Sequence, residues 1–284
     1  MRRRRLIAVV SVAAAGAAAG ALVAHAVGRS SARPPCGSPK LGSLVYARGG
    51  TFLKLDFSTC KTTRAARLPA PRPTRSPDGR YTVFFENRLH SASLAADGLP
   101  LKVRDVRTGA VHTVASTLPI PGFTAWCGTA LLYVVNRGGR EVTLGDGIAS
   151  ARPPAFRSRT ILPAGTKTSW NTIACRPGGR GFAVVAGPAG SDSPFGQEHR
   201  SIWLVSRGMP RRLTRPPAGT SDESPHWSSD GRWLAFVRTS AHGVGTLYAY
   251  DLRTRKLVGP LASLGKTTNY YGTHGWANQT AWSR

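Results

Sequence analysis

Ser224-Pro225-His226-Trp227-Ser228-Ser229-Asp230-Gly231-Arg232-Trp233-Leu234-Ala235-Phe236-Val237 holds the pattern that decides the fold. Asp offers a short acceptor for turn amides and Gly accepts positive φ, so Asp230-Gly231 reads as a tight turn between two strands. Thr246 to Leu252 and Lys256-Leu257-Val258 continue the unit as strand, turn, strand. Upstream, Ser76-Pro77-Asp78-Gly79-Arg80 opens the same arrangement before Tyr81 to Phe85, Leu101 to Val106 and Ala110 to Val114, with Thr108-Gly109 as a further turn. Fainter copies are Trp126-Cys127-Gly128 before Ala130 to Val135, and Cys175 to Gly179 before Phe182 to Val185.

With Arg75, Trp126, Cys175, Trp227 and Trp276 as equivalent points, the spacings are 51, 49, 52 and 49 residues. A period of about 40 to 50 residues with four short strands is the signature of propeller blades, since one such sheet cannot hide both faces alone. The stretch from Leu44 to Arg284 is 241 residues and holds five units of that period. The expected fold is all-β, a five-bladed β-propeller, or six-bladed if two degenerate units have been merged. Leu44 to Ala47, Thr51 to Phe57 and Thr62 to Leu68 read as the last three strands of a blade whose first strand comes from around Trp276. Joining the termini in one blade closes the ring and removes the sheet edges that aggregate.

The residues before the repeats address the chain. Arg2 to Arg5 precede an uncharged run from Leu6 to Val27, and about 22 residues make roughly 33 Å of helix, enough for a bilayer core. With the arginines held cytoplasmic by the positive-inside rule, the rest lies outside the cytoplasm. Ala24-His25-Ala26 fits a cleavage site, yet the run is long for a cleaved signal, so secreted and membrane-anchored forms both stand. The chain divides into 1–27, an N-terminal signal peptide or transmembrane anchor; 28–43, a linker; and 44–284, the propeller. Cys36 lacks a lipoprotein context. In an exported domain the four cysteines read as two disulfides. Cys127 and Cys175, nearly one repeat apart, fall on equivalent strands of adjacent blades and pair; Cys36 and Cys60 flank the first blade and pair.

The segments 224–236 and 76–80 resemble the TolB-type propeller repeat, roughly Pro-x-Trp-Ser-Pro-Asp-Gly-x-x-Leu-Ala-Phe. The resemblance extends as a fold over nearly everything after Leu44, without the N-terminal domain of TolB. It implies an exported, non-catalytic binding role, with partner sites at the funnel formed by loops leading into the innermost strands.

Composition narrows the chemistry. The chain has 39 Lys+Arg against 13 Asp+Glu, a net charge of +26. So few carboxylates leave little material for acid–base pairs or metal cages. No Gly-x-Ser-x-Gly elbow, phosphate-cradling loop or Cys-x-x-Cys occurs, and no cofactor or metal is called for. Asp78 and Asp230 read as turn formers, and Trp126, Trp227 and Trp276 as packing between blades. The funnel loops are assigned to Pro119–Phe123, Lys167–Asn171, Ser221–Ser224 and Asn269–His274, and their residues Phe123, Trp170, Asn171, Asp222, Glu223, Tyr270 and Tyr271 make a partner-binding rim. His226 and His274 fall at equivalent blade positions there, and with Asp222 and Glu223 form an imidazole–carboxylate cluster able to titrate near neutrality. The expected function is an exported TolB-like binding or interaction module at the cell envelope. The alternative is an envelope polymer-acting lyase or hydrolase with its site in the funnel. Expected partners are an envelope protein, an anionic envelope polymer or a membrane surface, drawn by the basic charge, for a monomer that does not bind nucleic acid.

Overall fold

The computed structural model describes residues 41–67, 75–85, 99–118, 124–135, 147–163, 168–188, 199–266, 276 and 280–283. All of them lie in one of two compact units, Ala32–Arg284. The expectations for 1–27, Cys36, Phe123, Tyr270, Tyr271 and His274 concern residues outside this set.

The strands pair into five small antiparallel sheets. In chain order, β1 (Ser43–Arg48), β2 (Thr51–Asp56) and β3 (Thr62–Arg64) build the first sheet. The second contains β4 (Tyr81–Phe85), β5 (Leu99–Asp105) and β6 (Val111–Leu118). The third contains β7 (Thr124–Cys127), β8 (Ala130–Val135), β9 (Gly147–Ala151) and β10 (Arg159–Leu162). The fourth runs β11 (Thr168–Cys175), β12 (Phe182–Pro188), β13 (Ser201–Ser206) and β14 (Met209–Arg212). The fifth runs β15 (Thr220–Trp227), β16 (Trp233–Ser240), β17 (Val244–Asp251) and β18 (Lys256–Lys266). Last, β19 (Thr280–Ser283) returns to the first sheet, antiparallel to β1, with Leu44 opposite Trp282. The two ends of the domain are thus joined in one sheet. In the second sheet Arg75 bridges Thr82, in the place a leading strand takes elsewhere.

Why the second strands read as unbroken apolar runs follows from where their two faces go. Leu131 and Tyr133 of β8 pack with Tyr81, Val83, Leu101 and Val103 of the second sheet. Their neighbours Leu132 and Val134 pack with Trp170 and Val184 of the fourth. The same division recurs in β12, where Ala183 and Val185 meet Leu234 and Phe236 of the fifth sheet. In β16, Ala235 and Val237 turn instead to Leu44 and Tyr46 of the first. The third, fourth and fifth sheets each lie between two neighbours, so both pleat faces of their second strands are apolar and strict alternation is lost. Burying one such side chain contributes about 1.5–3 kcal/mol.

The structure shifts three expected positions. Leu41 is buried in the core between the first and fifth sheets, and Phe57 donates its amide to the Gly42 carbonyl. The fold therefore takes in the last residues assigned to the linker. Trp282, opposite Leu44, holds the place that Trp227 holds opposite Leu234, so the final equivalent point is Trp282 and not Trp276. Trp276 is fully buried between the same two sheets, where a Cβ added at Gly245 would lie 2.3 Å from its ring. Ser221–Ser224 and Thr168–Asn171 lie within strands β15 and β11 and are not loops.

Cys127 and Cys175, the last residues of β7 and β11, form the expected disulfide between neighbouring sheets, with Cα atoms 5.1 Å apart. Cys60 is disulfide-bonded as well. Replacing Cys127 and Cys175 together by Ala is expected to cost about 2–4 kcal/mol, mainly by releasing the unfolded chain from a closed loop. Denaturant unfolding of the variant against the parent chain measures it.

Candidate functional site

The two Asp-Gly turns are built alike. Asp78 accepts from the Ser76 hydroxyl and the Arg80 amide, and Asp230 accepts from the Ser228 hydroxyl and the Arg232 amide. Gly79 and Gly231 hold φ of 73° and 66°, the left-handed region those turns need. The arginine after each glycine then reaches the end of the neighbouring strand. Arg80 pairs with Asp105 at 2.8 Å, and Arg232 makes a two-pronged contact with Asp251 at 3.1 and 2.7 Å. Arg232 holds the Asp251 carboxyl down at about 2. Sequence reasoning missed this pairing. Its signal was present: Asp105-Val106-Arg107-Thr108 and Asp251-Leu252-Arg253-Thr254 repeat one pattern at the end of the third strand.

A second polar system lies on β15, against the fourth sheet. Arg238 grips Asp222 through two hydrogen bonds of 2.6 and 2.9 Å, and Asp222 is fully buried. The guanidinium also stands over the Tyr248 ring, 4.7 Å from its centre. Glu223, buried too, has the Arg200 guanidinium at 3.8 Å and takes a hydrogen bond from Thr239. Arg200 ties the sheets through its backbone, receiving the Asp222 amide on its carbonyl and giving its own amide to the Ser221 hydroxyl.

Beside this system the leading strands of the fourth and fifth sheets are distorted at matching places. The ladder shifts register between Asn171 and Ile173 on β11, and between Glu223 and His226 on β15. Thr172 sits at φ 32° and Ser224 at φ 49°. These values strain any side chain, and a β-branched one most. Trp227 donates its indole N–H to the Ala174 carbonyl at 2.9 Å, which sets the two strands at one level. Each distorted residue then lies two or three positions before that contact. Here Asn171 Oδ1 and Ser224 Oγ are buried without a hydrogen-bond partner.

Of the expected site residues that can be placed, Trp170, Asn171, Asp222 and Glu223 are buried and His226 is half-buried. Trp170 is a core residue, 5% exposed, set edge-on to Trp203 and donating to the Pro163 carbonyl. Asp222 and Glu223 are committed to Arg238 and Arg200, so they do not assemble with His226. His226 instead packs against Trp282 of the first sheet, with ring centres 5.7 Å apart, and burial pushes its imidazole down to about 4. Among the described residues no group of three or more His, Cys, Asp or Glu is arranged to hold a metal ion.

The His226 shift has a defined sign. A base whose protonation is disfavoured in the folded state supports folding above its unfolded value of about 6.5, and that support is lost as pH falls toward 4. The loss is expected to reach roughly 3 kcal/mol at most. Melting curves from pH 7 to 4 should flatten in His226→Phe, which keeps a ring against Trp282; a parallel decline in both proteins would refute the assignment.

No family model and no curated protein matches the chain. Solved structures do resemble it. Oligogalacturonate lyase in complex with manganese aligns with a TM-score of 0.50 at 16% identity, over 78% of this chain and 62% of that one. TolB from Acinetobacter baumannii aligns with 0.48 and 16%, over 80% and 53%. A TolB candidate from Agrobacterium tumefaciens aligns with 0.48 and 15%, over 87% and 88%. The chain therefore spans 62% and 53% of the lengths of the first two. The likeness at a TM-score of 0.50 is one of fold alone.

Proposed function

We propose that the chain is an exported, non-catalytic TolB-like propeller, one blade per sheet with β7, β11, β15 and β19 innermost, acting as a binding module at the cell envelope. The observation that carries this reading is the pair of buried, unpartnered polar atoms, Asn171 Oδ1 and Ser224 Oγ, beside two strained residues at one level of adjacent strands. Strain and unsatisfied polarity both cost stability, and a ligand that supplies the missing hydrogen bonds offsets that cost. Binding is favoured over catalysis because Asp222 and Glu223, the carboxylates nearest in sequence, are each held by an arginine. The disulfide Cys127–Cys175 supports a location outside the reducing cytoplasm. The partner class that fits is an envelope protein, or an anionic envelope polymer, whose donors reach Asn171 Oδ1 and Ser224 Oγ.

The test separates binding from folding. Ser224→Gly removes both the strained side chain and the unpartnered hydroxyl, and is expected to raise stability by about 1 kcal/mol. Asn171→Leu removes the other unpartnered atom. If these two atoms meet the partner, both variants lose capture of envelope components while melting at or above the parent temperature. Lower melting temperatures with capture unchanged would make the two residues structural and defeat this reading.

A further inference from the structure

We propose that the turn-bearing end of the domain docks on an anionic phospholipid bilayer. In an antiparallel four-stranded sheet, the turns between first and second and between third and fourth strands lie at the same end. Neighbouring sheets hold that end in common. Cys127 is bonded to Cys175 at the close of two leading strands, and Arg176 donates to the Gly231 carbonyl at 2.8 Å, turn to turn. Trp126 stacks on Tyr81, and Trp282 packs on His226, at the same level of their own strands.

Exposed cations stand on these turns or at their ends in every sheet: Lys61 in the first, Arg107 in the second, Arg157 in the third, Arg180 and Arg207 in the fourth, and Arg255 in the fifth. The carboxylates described at this end do not neutralise them. Asp56 takes the Ser58 amide and hydroxyl, Asp78 and Asp230 cap their turns, and Asp105 and Asp251 hold Arg80 and Arg232. Internal structure has absorbed the acids and left the arginines facing outward.

Charge alone would suit any polyanion. A second, independent observation selects a bilayer. Among the described residues the exposed large apolar side chains are Val106, Val111, Met209, Val244 and Leu257. All but Val244 stand on or beside the turns between third and fourth strands. Met209, 68% exposed, follows the Arg207-Gly208 turn on β14, a strand exposed along its whole length. Apolar side chains set among cations match an interface where headgroup charge and hydrocarbon lie a few ångströms apart, and a soluble polymer offers only the first.

The experiment measures binding of the full chain to phosphatidylcholine vesicles with and without phosphatidylglycerol, so the segment before residue 41 is common to every arm. The parent chain is expected to bind the phosphatidylglycerol vesicles more tightly, and salt should weaken that preference. Each cation removed should cost about fivefold, so a triple variant Arg107→Glu, Arg207→Glu, Arg255→Glu should lose about a hundredfold or more. Met209→Ser should lose severalfold, and should still do so at high salt, where the electrostatic part has gone. Equal binding to both vesicle types would overturn the proposal. So would an unaffected triple variant, or an unaffected Met209→Ser together with full competition by dextran sulfate, which would assign the end to a polyanion. Should the triple variant melt early, Met209→Ser and Val106→Ser, both on exposed side chains, carry the test alone. Asn171→Leu and Ser224→Gly should leave vesicle binding unchanged, so failure here is distinguishable from failure of the proposed function at those two residues.

Discussion

A chain lacking residues 276–284 is expected to lose its monomeric folded state. The deletion takes away β19, and with it the pairing that seats Trp282 opposite Leu44. It also removes Trp276, fully buried between the first and fifth sheets. Removing one buried tryptophan side chain costs about 3–5 kcal/mol, against a total stability of about 5–15 kcal/mol for a typical domain. The deletion further strips β1 of its partner on one side and exposes an unpaired edge, which invites association. Size-exclusion chromatography should show aggregates or an expanded species, and thermal melting should lose its cooperative transition. A truncated chain that stays monomeric and melts with the parent would mean that closure contributes nothing.

The second large effect lies at Asp222. Replacing it by Ala strands the Arg238 guanidinium, whose side chain is only 12% exposed, without its anion. Breaking a buried pair from one side typically costs about 3–5 kcal/mol, much of it the penalty for the charge left behind. The double change Asp222→Leu with Arg238→Met removes both charges and should recover most of that loss. The ordering single variant far below double variant, read from denaturant midpoints, is the diagnostic result. Equal losses would place the effect in packing around Tyr248 and not in charge.

Which features were legible in the sequence depended on how locally they are determined. The Asp-Gly turns were readable because acceptor, glycine and following strand lie within a few residues, and Asp78 and Asp230 behave as their residue types dictate. The disulfide between Cys127 and Cys175 followed from the repeat length. The leading strands did not yield. Thr220-Ser221-Asp222-Glu223-Ser224 is polar enough to read as a loop, and it is buried because Arg200 of another sheet and Arg238 of the adjacent strand neutralise it. Trp170 read as a rim aromatic for the same reason: its acceptor, the Pro163 carbonyl, and its ring partner, Trp203, are set by folding and not by neighbours in sequence. The choice between Trp276 and Trp282 likewise turned on which residue faces Leu44, a contact across more than two hundred positions.

That long-range contact also sets the order in which the protein can be completed. β1 precedes β19 by more than two hundred residues, so the first sheet lacks its leading strand until the chain has been made through Ser283. Contacts of such sequence separation form late and slowly, because the chain must pay loop-closure entropy before the contact rewards it. Until then β1 offers an open edge to other chains. A protein of this design should refold by a concentration-sensitive reaction, and in the cell the newly delivered chain would be the form that most needs a chaperone.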